Sequence, residues 1–151
     1  MKIAIATDHN GVKEKEHIIN TLSTFDFVDL SRDNNPSDDY PDFAKRVAEY
    51  VVKNKGTLGV LMCGTGIGMS IAANKVKGIR CAHCSSLEQA HLAKEHNNAN
   101  IIALSYKQDM KELIDMISEF INTPFSNEER HARRVKKIME MEKWITKHIY
   151  M

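Results

Sequence analysis

The chain has 151 residues and a mass of 17.2 kDa, with 42% hydrophobic and 27% charged residues. This is a globular composition with room for one domain that needs no disulfide or metal staple. Twenty-one Lys+Arg against 20 Asp+Glu leave a formal charge of +1, which argues against a general nucleic-acid or membrane-surface binder and leaves any anion site to local placement of charge.

Short β-rich runs alternate with longer helical patterns. Residues 2–7 read as a buried strand, and 11–24 as an amphipathic helix with Val12, Ile18, Ile19 and Leu22 among Lys and Glu. Residues 25–30 form a second, weaker strand, followed by a polar loop through Tyr40. Pro41 suits the first turn of a helix over 42–53. A third strand covers 57–62, a helix opened by a glycine-rich turn covers 66–75, and a fourth strand covers 78–82. Then come a helix over 86–96, an uncharged fifth strand over 99–104 and a helix over 107–121. Pro124 precedes a long charged helix from about Asn127 onward. No run reaches the ~7–15 apolar residues of a secretory core or the ~20 of a membrane span. Cys63, Cys81 and Cys84 are an odd number of cysteines, which suits a reducing compartment; the expectation is a cytoplasmic protein.

The alternation predicts an α/β fold: a three-layer, doubly wound, Rossmann-like sheet of five parallel strands. The common order for five strands is 2-1-3-4-5, with a switch point between strands 1 and 3 where ligands bind at the strands' carboxyl ends. That places two loops in view, residues 7–11 and 62–68.

The first loop carries Asp8 and His9, and the other reads Cys63-Gly64-Thr65-Gly66-Ile67-Gly68-Met69-Ser70. An Asp-His pair at a strand end can merely cap a helix. Glycines 64, 66 and 68 can serve only a tight turn, or can bare several peptide N–H groups as an anion cradle. The run lacks the Gly-Lys-Ser/Thr ending of a nucleoside-triphosphate loop. It also lacks the third glycine and distal acid of a dinucleotide fold. Cys63 suits either a small buried hydrophobe or a thiolate base beside those donors. Such a base could remove a proton next to a carbonyl while the donors hold the enediolate oxygen.

Arg130 and Arg134 stand four apart and share one helical face, fit to pinch a phosphate or simply to face solvent. His96-Asn97 suits a helix C-cap. His96 lies at the amino end of a strand and Cys63 at the carboxyl end of another. One site containing both is therefore easier to build across a subunit interface than within one chain. Cys81-Ala82-His83-Cys84 could be a redox pair or half of a zinc site, although no second Cys/His cluster has matching spacing.

Asp8-His9-x-Gly11, Asp39-Tyr40-Pro41, the block from Cys63 to Lys75, Gly78-Ile79-Arg80, His96-Asn97-x-x-Asn100 and Arg130-His131-x-x-Arg134 together resemble type B ribose-5-phosphate isomerase. That family includes the allose-6-phosphate isomerases and is related to the galactose-6-phosphate isomerase subunits. The resemblance implies a metal-free aldose–ketose interconversion in the pentose phosphate pathway, with no cofactor. By it, Cys63 is the base, Thr65 and the amides of Gly64, Gly66, Ile67, Gly68 and Ser70 form the oxyanion cradle, and His96, helped by Asp8, opens the sugar ring. His9, Arg130 and Arg134 are implied as phosphate ligands, and Tyr40 and Asn97 as sugar contacts. It also implies a homo-oligomer, a dimer or a dimer of dimers with sites shared between chains. We expect one domain over 1–151, its terminal helix (about 127–147) packing on a partner, with a small sugar phosphate as ligand and neither nucleic acid nor membrane. Two departures stand out. Ser105-Tyr106-Lys107 replaces the family's Gly-x-Arg, so Lys107 keeps the charge without the planar fork, and the 31–39 loop has no close match. The competing readings are an isomerase of a 6-phospho-hexose, a non-catalytic sugar-phosphate-binding module, and a thiol-redox protein.

Overall fold

The apolar runs become strands and the amphipathic stretches helices in a computed structural model that describes residues 1–149. In chain order the elements are β1 (Lys2–Thr7), α1 (Val12–Thr21), β2 (Asp26–Asp29), α2 (Tyr40–Lys53), β3 (Leu58–Cys63), α3 (Ile67–Ala73), β4 (Cys81–His83), α4 (Leu87–Asn97), β5 (Ile101–Ser105), α5 (Met110–Asn122) and α6 (Glu129–Ile149). α2 starts two residues early, with Pro41 in its first turn. α6 starts two residues late, after Asn127 adopts a left-handed conformation (φ 57°).

All pairings are parallel, and the order is β2-β1-β3-β5-β4. The expected order 2-1-3-4-5 is wrong at its last two places. The physical reason lies in the strands themselves. Residues 101–104 of β5 are buried and uncharged, whereas β4 has three residues, all partly or wholly exposed. A strand apolar on both faces belongs inside a parallel sheet, and a short polar one at its edge.

That exchange decides which layer holds α4. With right-handed crossovers, the step from β4 back to β5 carries its helix to the face opposite α3. Ile18 of α1, Ala90 and Ala93 of α4, and Leu113, Ile117 and Phe120 of α5 accordingly share one core with Ile3, Ile5, Ile102 and Leu104. Phe43, Val47 and Val51 of α2 and Met69 and Ala73 of α3 pack on the other face, against Ala4, Ala6, Leu61 and Ala103. The period-2 alternation of β1 serves both layers.

α6 lies outside this sandwich. Glu142 Oε1 accepts a hydrogen bond from Gly78 N–H at 2.7 Å, and Met139 Sδ lies 3.2 Å from the Arg80 guanidinium. Its Ile138, Met141, Trp144 and Ile145 stay exposed. Among the described residues no helix is long and apolar enough to cross a membrane.

Candidate active site

Three adjacent strand ends build one edge. β3 ends at Cys63 opposite Ser105 of β5, and Thr7 of β1 sits opposite Met62. The chain leaves β3 toward the α2/α3 layer but leaves β1 and β5 toward the other. The connections therefore diverge on both sides of Cys63, which makes this edge a topological switch point, the place where such sheets bind ligands.

Cys63 is 4% exposed, and its sulfur accepts a hydrogen bond from the Gly66 N–H at 3.2 Å. Gly66 can turn its amide back because its φ of +82° suits glycine alone. Two other members of the expected cradle are already engaged. The Ile67 amide donates to Thr65 Oγ1 at 3.1 Å, and the Ser70 amide closes the first turn of α3 on the Gly66 carbonyl. Tyr40 lies across the start of α3; a Cβ on Gly68 would stand 2.4 Å from its ring.

The neighbouring loops are locked against this turn. Ser105 Oγ donates to the Gly64 carbonyl at 2.7 Å, and His83 Nε2 lies 2.8 Å from the Thr65 carbonyl. Lys107 reaches the same corner, its Nζ 3.9 Å from where a Gly64 Cβ would be. Asp8 accepts from Asn10 N–H at 3.0 Å, and the Tyr106 hydroxyl stands 3.5 Å from its other oxygen. Burial and the Asp8 charge push that phenol up to about 12, so it remains a proton donor at neutral pH. The His9 ring Nδ1 lies 2.6 Å from Asp38 Oδ1, which also accepts the His9 backbone N–H at 3.0 Å.

His96, Asn97, Arg130 and Arg134 lie at the opposite edge. His96 ends α4 just before β5 begins, so the four-residue rise from Ile101 to Ser105 alone separates the two edges by ~13 Å. The His96 and His131 rings lie against each other with centroids 4.1 Å apart and planes tilted by 31°, and Ser126 Oγ is 2.7 Å from His131 Nδ1. Burial, His96 and the Arg130 charge lower the His131 pKa, which favours the neutral ring. Arg130 pairs with Glu128 at 3.1 Å, and the Asn97 carbonyl accepts from Arg80 Nε at 3.2 Å. One chain thus gathers Asp8, His9, Tyr40, Cys63, Thr65, the glycine turn and Lys107, and leaves the ring-opening and arginine candidates elsewhere.

A family model for ribose/galactose isomerase matches residues 3–138. The chain belongs to that family. It is 37% identical over 147 residues to ribose-5-phosphate isomerase B of Mycobacterium leprae, covering 95% of this chain and 91% of that one. The crystal structure of ribose-5-phosphate isomerase B from Mycoplasma genitalium with bound ribulose-5-phosphate superposes with a TM-score of 0.88 at 44% identity, covering 94% and 96% of the two chains. Type B ribose 5-phosphate isomerase from Trypanosoma cruzi gives 0.89 at 42% identity, over 95% and 99%.

Within this ribose/galactose isomerase, the cysteines separate by environment. Burial pushes the Cys81 thiol up to about 12 and the Cys84 thiol up to about 11. A redox pair needs a depressed thiol, so these two have the opposite character. All three cysteines are free. Among the described residues no three His, Cys, Asp or Glu side chains converge as metal ligands would.

Sequence reasoning missed Asp38, His83, Ser105 and Tyr106 as parts of this edge, and His131 as the partner of His96. His83 is invisible because the surrounding Cys-x-x-Cys spacing draws attention to sulfur. Ser105 and Tyr106 did have a signal, since they stand where the family pattern is broken.

Proposed function

We propose that this family member interconverts ribose 5-phosphate and ribulose 5-phosphate through a cis-enediolate, with Cys63 as the base and no metal. The observation that carries this reading is the Cys63 sulfur, held by the Gly66 N–H at 3.2 Å between the Asp8 and Tyr106 loops. Its family membership and the ribulose-5-phosphate bound to the M. genitalium relative support the same substrate.

Sulfur takes the proton from C2 of the open-chain aldose and returns it to C1 while the hydroxyl proton passes from O2 to O1, so the same base serves both directions. Thr65 and the peptide N–H groups of the glycine turn, Gly64 and Gly68 included, stabilise charge on the enediolate oxygens. His9, Lys107, Arg130 and Arg134 bind phosphate by charge-assisted hydrogen bonds, and Tyr40 and Asn97 orient the sugar. His96, assisted by Asp8, moves the proton that opens the ring.

His96 and the arginine pair come from a second copy in this reading, because one chain holds them at the far edge. A homo-oligomer also covers Ile138, Met141 and Ile145 of α6, with the 127–147 segment packed on its partner and 1–151 acting as one domain. A groove of about 440 Å³ beside these three residues and Ile79 suits an apolar partner surface. Three free thiols fit a reducing compartment, so we place the enzyme in the cytoplasm.

Cys63→Ala tests the reading. Its turnover should fall at least ~1,000-fold, while calorimetry still detects ribulose 5-phosphate binding. Retention of most activity would remove Cys63 as the base.

A further inference from the structure

The 31–39 loop carries a polar network beside the end of β1. Lys15 of α1 is 3% exposed, an unusual place for an ammonium group. Its Nζ lies 3.1 Å from Asp29 Oδ1 and donates to the Ser31 carbonyl and Ser31 Oγ, both at 3.0 Å. Ser31 Oγ in turn accepts the Thr7 N–H at 3.1 Å, one residue before Asp8. A buried cation this fully engaged fixes the base of the loop, since releasing any partner would leave a charge in a dry place.

From that anchor the network runs outward. Lys15 Nζ reaches Asn34 Oδ1 at 3.4 Å, and the Asn34 amide donates to the Thr7 carbonyl and to Asp38 Oδ2, both at 2.9 Å. The Asn35 N–H adds a fourth donor to the Asp38 carboxylate at 3.1 Å, beside the two from His9. With its side chain 6% exposed and every contact fixed, Asp38 is an immobile acceptor facing the His9 ring.

We propose that Asp38, held by Asn34 on the buried Lys15, is a positioning residue that orients the His9 imidazole toward the substrate phosphate. This rests on the reading of His9 as a phosphate ligand. An ionised carboxylate can only accept, so Nδ1 must carry a proton, and Nε2 becomes the nitrogen offered to a ligand. Nε2 then faces away from Asp38, where it can donate to a phosphate oxygen whenever it too carries a proton. The same relation between a histidine and its carboxylate orients ligating and catalytic imidazoles generally.

A double-mutant cycle tests it. Asp38→Asn keeps the shape but removes the charge, and should raise KM for ribose 5-phosphate about tenfold, with kcat within about twofold. The increase should vanish in a His9→Ala background and persist beside Arg134→Ala, since only the first pair shares a contact. Asn34→Ala should move KM in the same direction by less, and it leaves the buried Lys15 with Asp29 and Ser31, so the fold is kept. In ¹⁵N-labelled protein the wild type should show a downfield His9 Nδ1 proton that Asp38→Asn abolishes. A KM unchanged by Asp38→Asn, or raised equally without His9, would overturn the positioning role alone. A His9→Ala variant with unchanged KM would overturn the phosphate assignment of His9 and this inference with it.

Discussion

The two edges of the sheet are built differently. At the carboxyl edge most of the polar groups described above are paired within the chain, the buried Thr7 hydroxyl excepted: Asp38 accepts four hydrogen bonds, Ser105 ties two loops together and Cys63 is met by a peptide N–H. At the amino edge, two histidine rings lie against each other beside arginines, and the apolar residues of α6 stay exposed. The second edge leaves apolar side chains of α6 exposed, and it is the one on which the proposed shared site depends.

Mixing subunits would break or establish this comparison most directly. Cys63→Ala and His96→Ala oligomers should each be nearly inactive. Refolded together as dimers, they should recover about a quarter of wild-type activity, because half the dimers are mixed and each mixed dimer has one intact site. No recovery would mean that each site is made by a single chain.

A smaller effect should come from the phosphate side. Arg134→Ala should raise KM for ribose 5-phosphate by roughly tenfold or more, from loss of a charge-assisted contact of about 1.5–3 kcal/mol. Steady-state kinetics with unchanged KM would move the phosphate away from the amino edge.

The smallest effects concern pH, and the edges should differ in sign. Burial raises the Asp38 pKa, but hydrogen bonds from Asn34, His9 and Asn35 outweigh it and hold the carboxyl at about 2 against an ordinary 3.8. A depressed carboxyl pKa contributes stability that is complete above 3.8 and lost as pH falls toward 2. At the other edge His91 bridges Glu119 of α5, at 2.7 Å, and Glu95 of α4. The Glu119 hydrogen bond leads the effects that raise its pKa above 6.5. That contribution is complete below pH 6.5 and lost as pH rises through the folded value. Hydrogen exchange should therefore show the 31–39 loop loosening in acid and the α4–α5 contact loosening above neutrality. Identical pH profiles for the two segments would refute the assignment.

Much of the carboxyl edge was legible because it is local. The strand-to-glycine step at Cys63 and the Asp8-His9 pair sit where a turn must follow a buried run. The distance between His96 and Cys63 was also legible, since position along a strand sets which end of a sheet a residue occupies. Asp38 was not, because its partner His9 is 29 residues away and nothing in a polar loop records which carboxylate turns inward. The strand order failed for a related reason. The uncharged fifth strand marks itself as interior, but nothing in its own residues says which strand it displaces from that place.

Periodicity and composition by themselves determined that this chain alternates strands and helices, and where its glycine-rich turn would open, because those features depend on neighbours within a few residues. Only the tertiary structure decided that β5 lies inside β4, that α4 joins α1 and α5, and that a buried lysine holds the loop behind His9. Those choices turn on which distant surfaces bury each other, and an apolar residue carries no mark of the one it will meet.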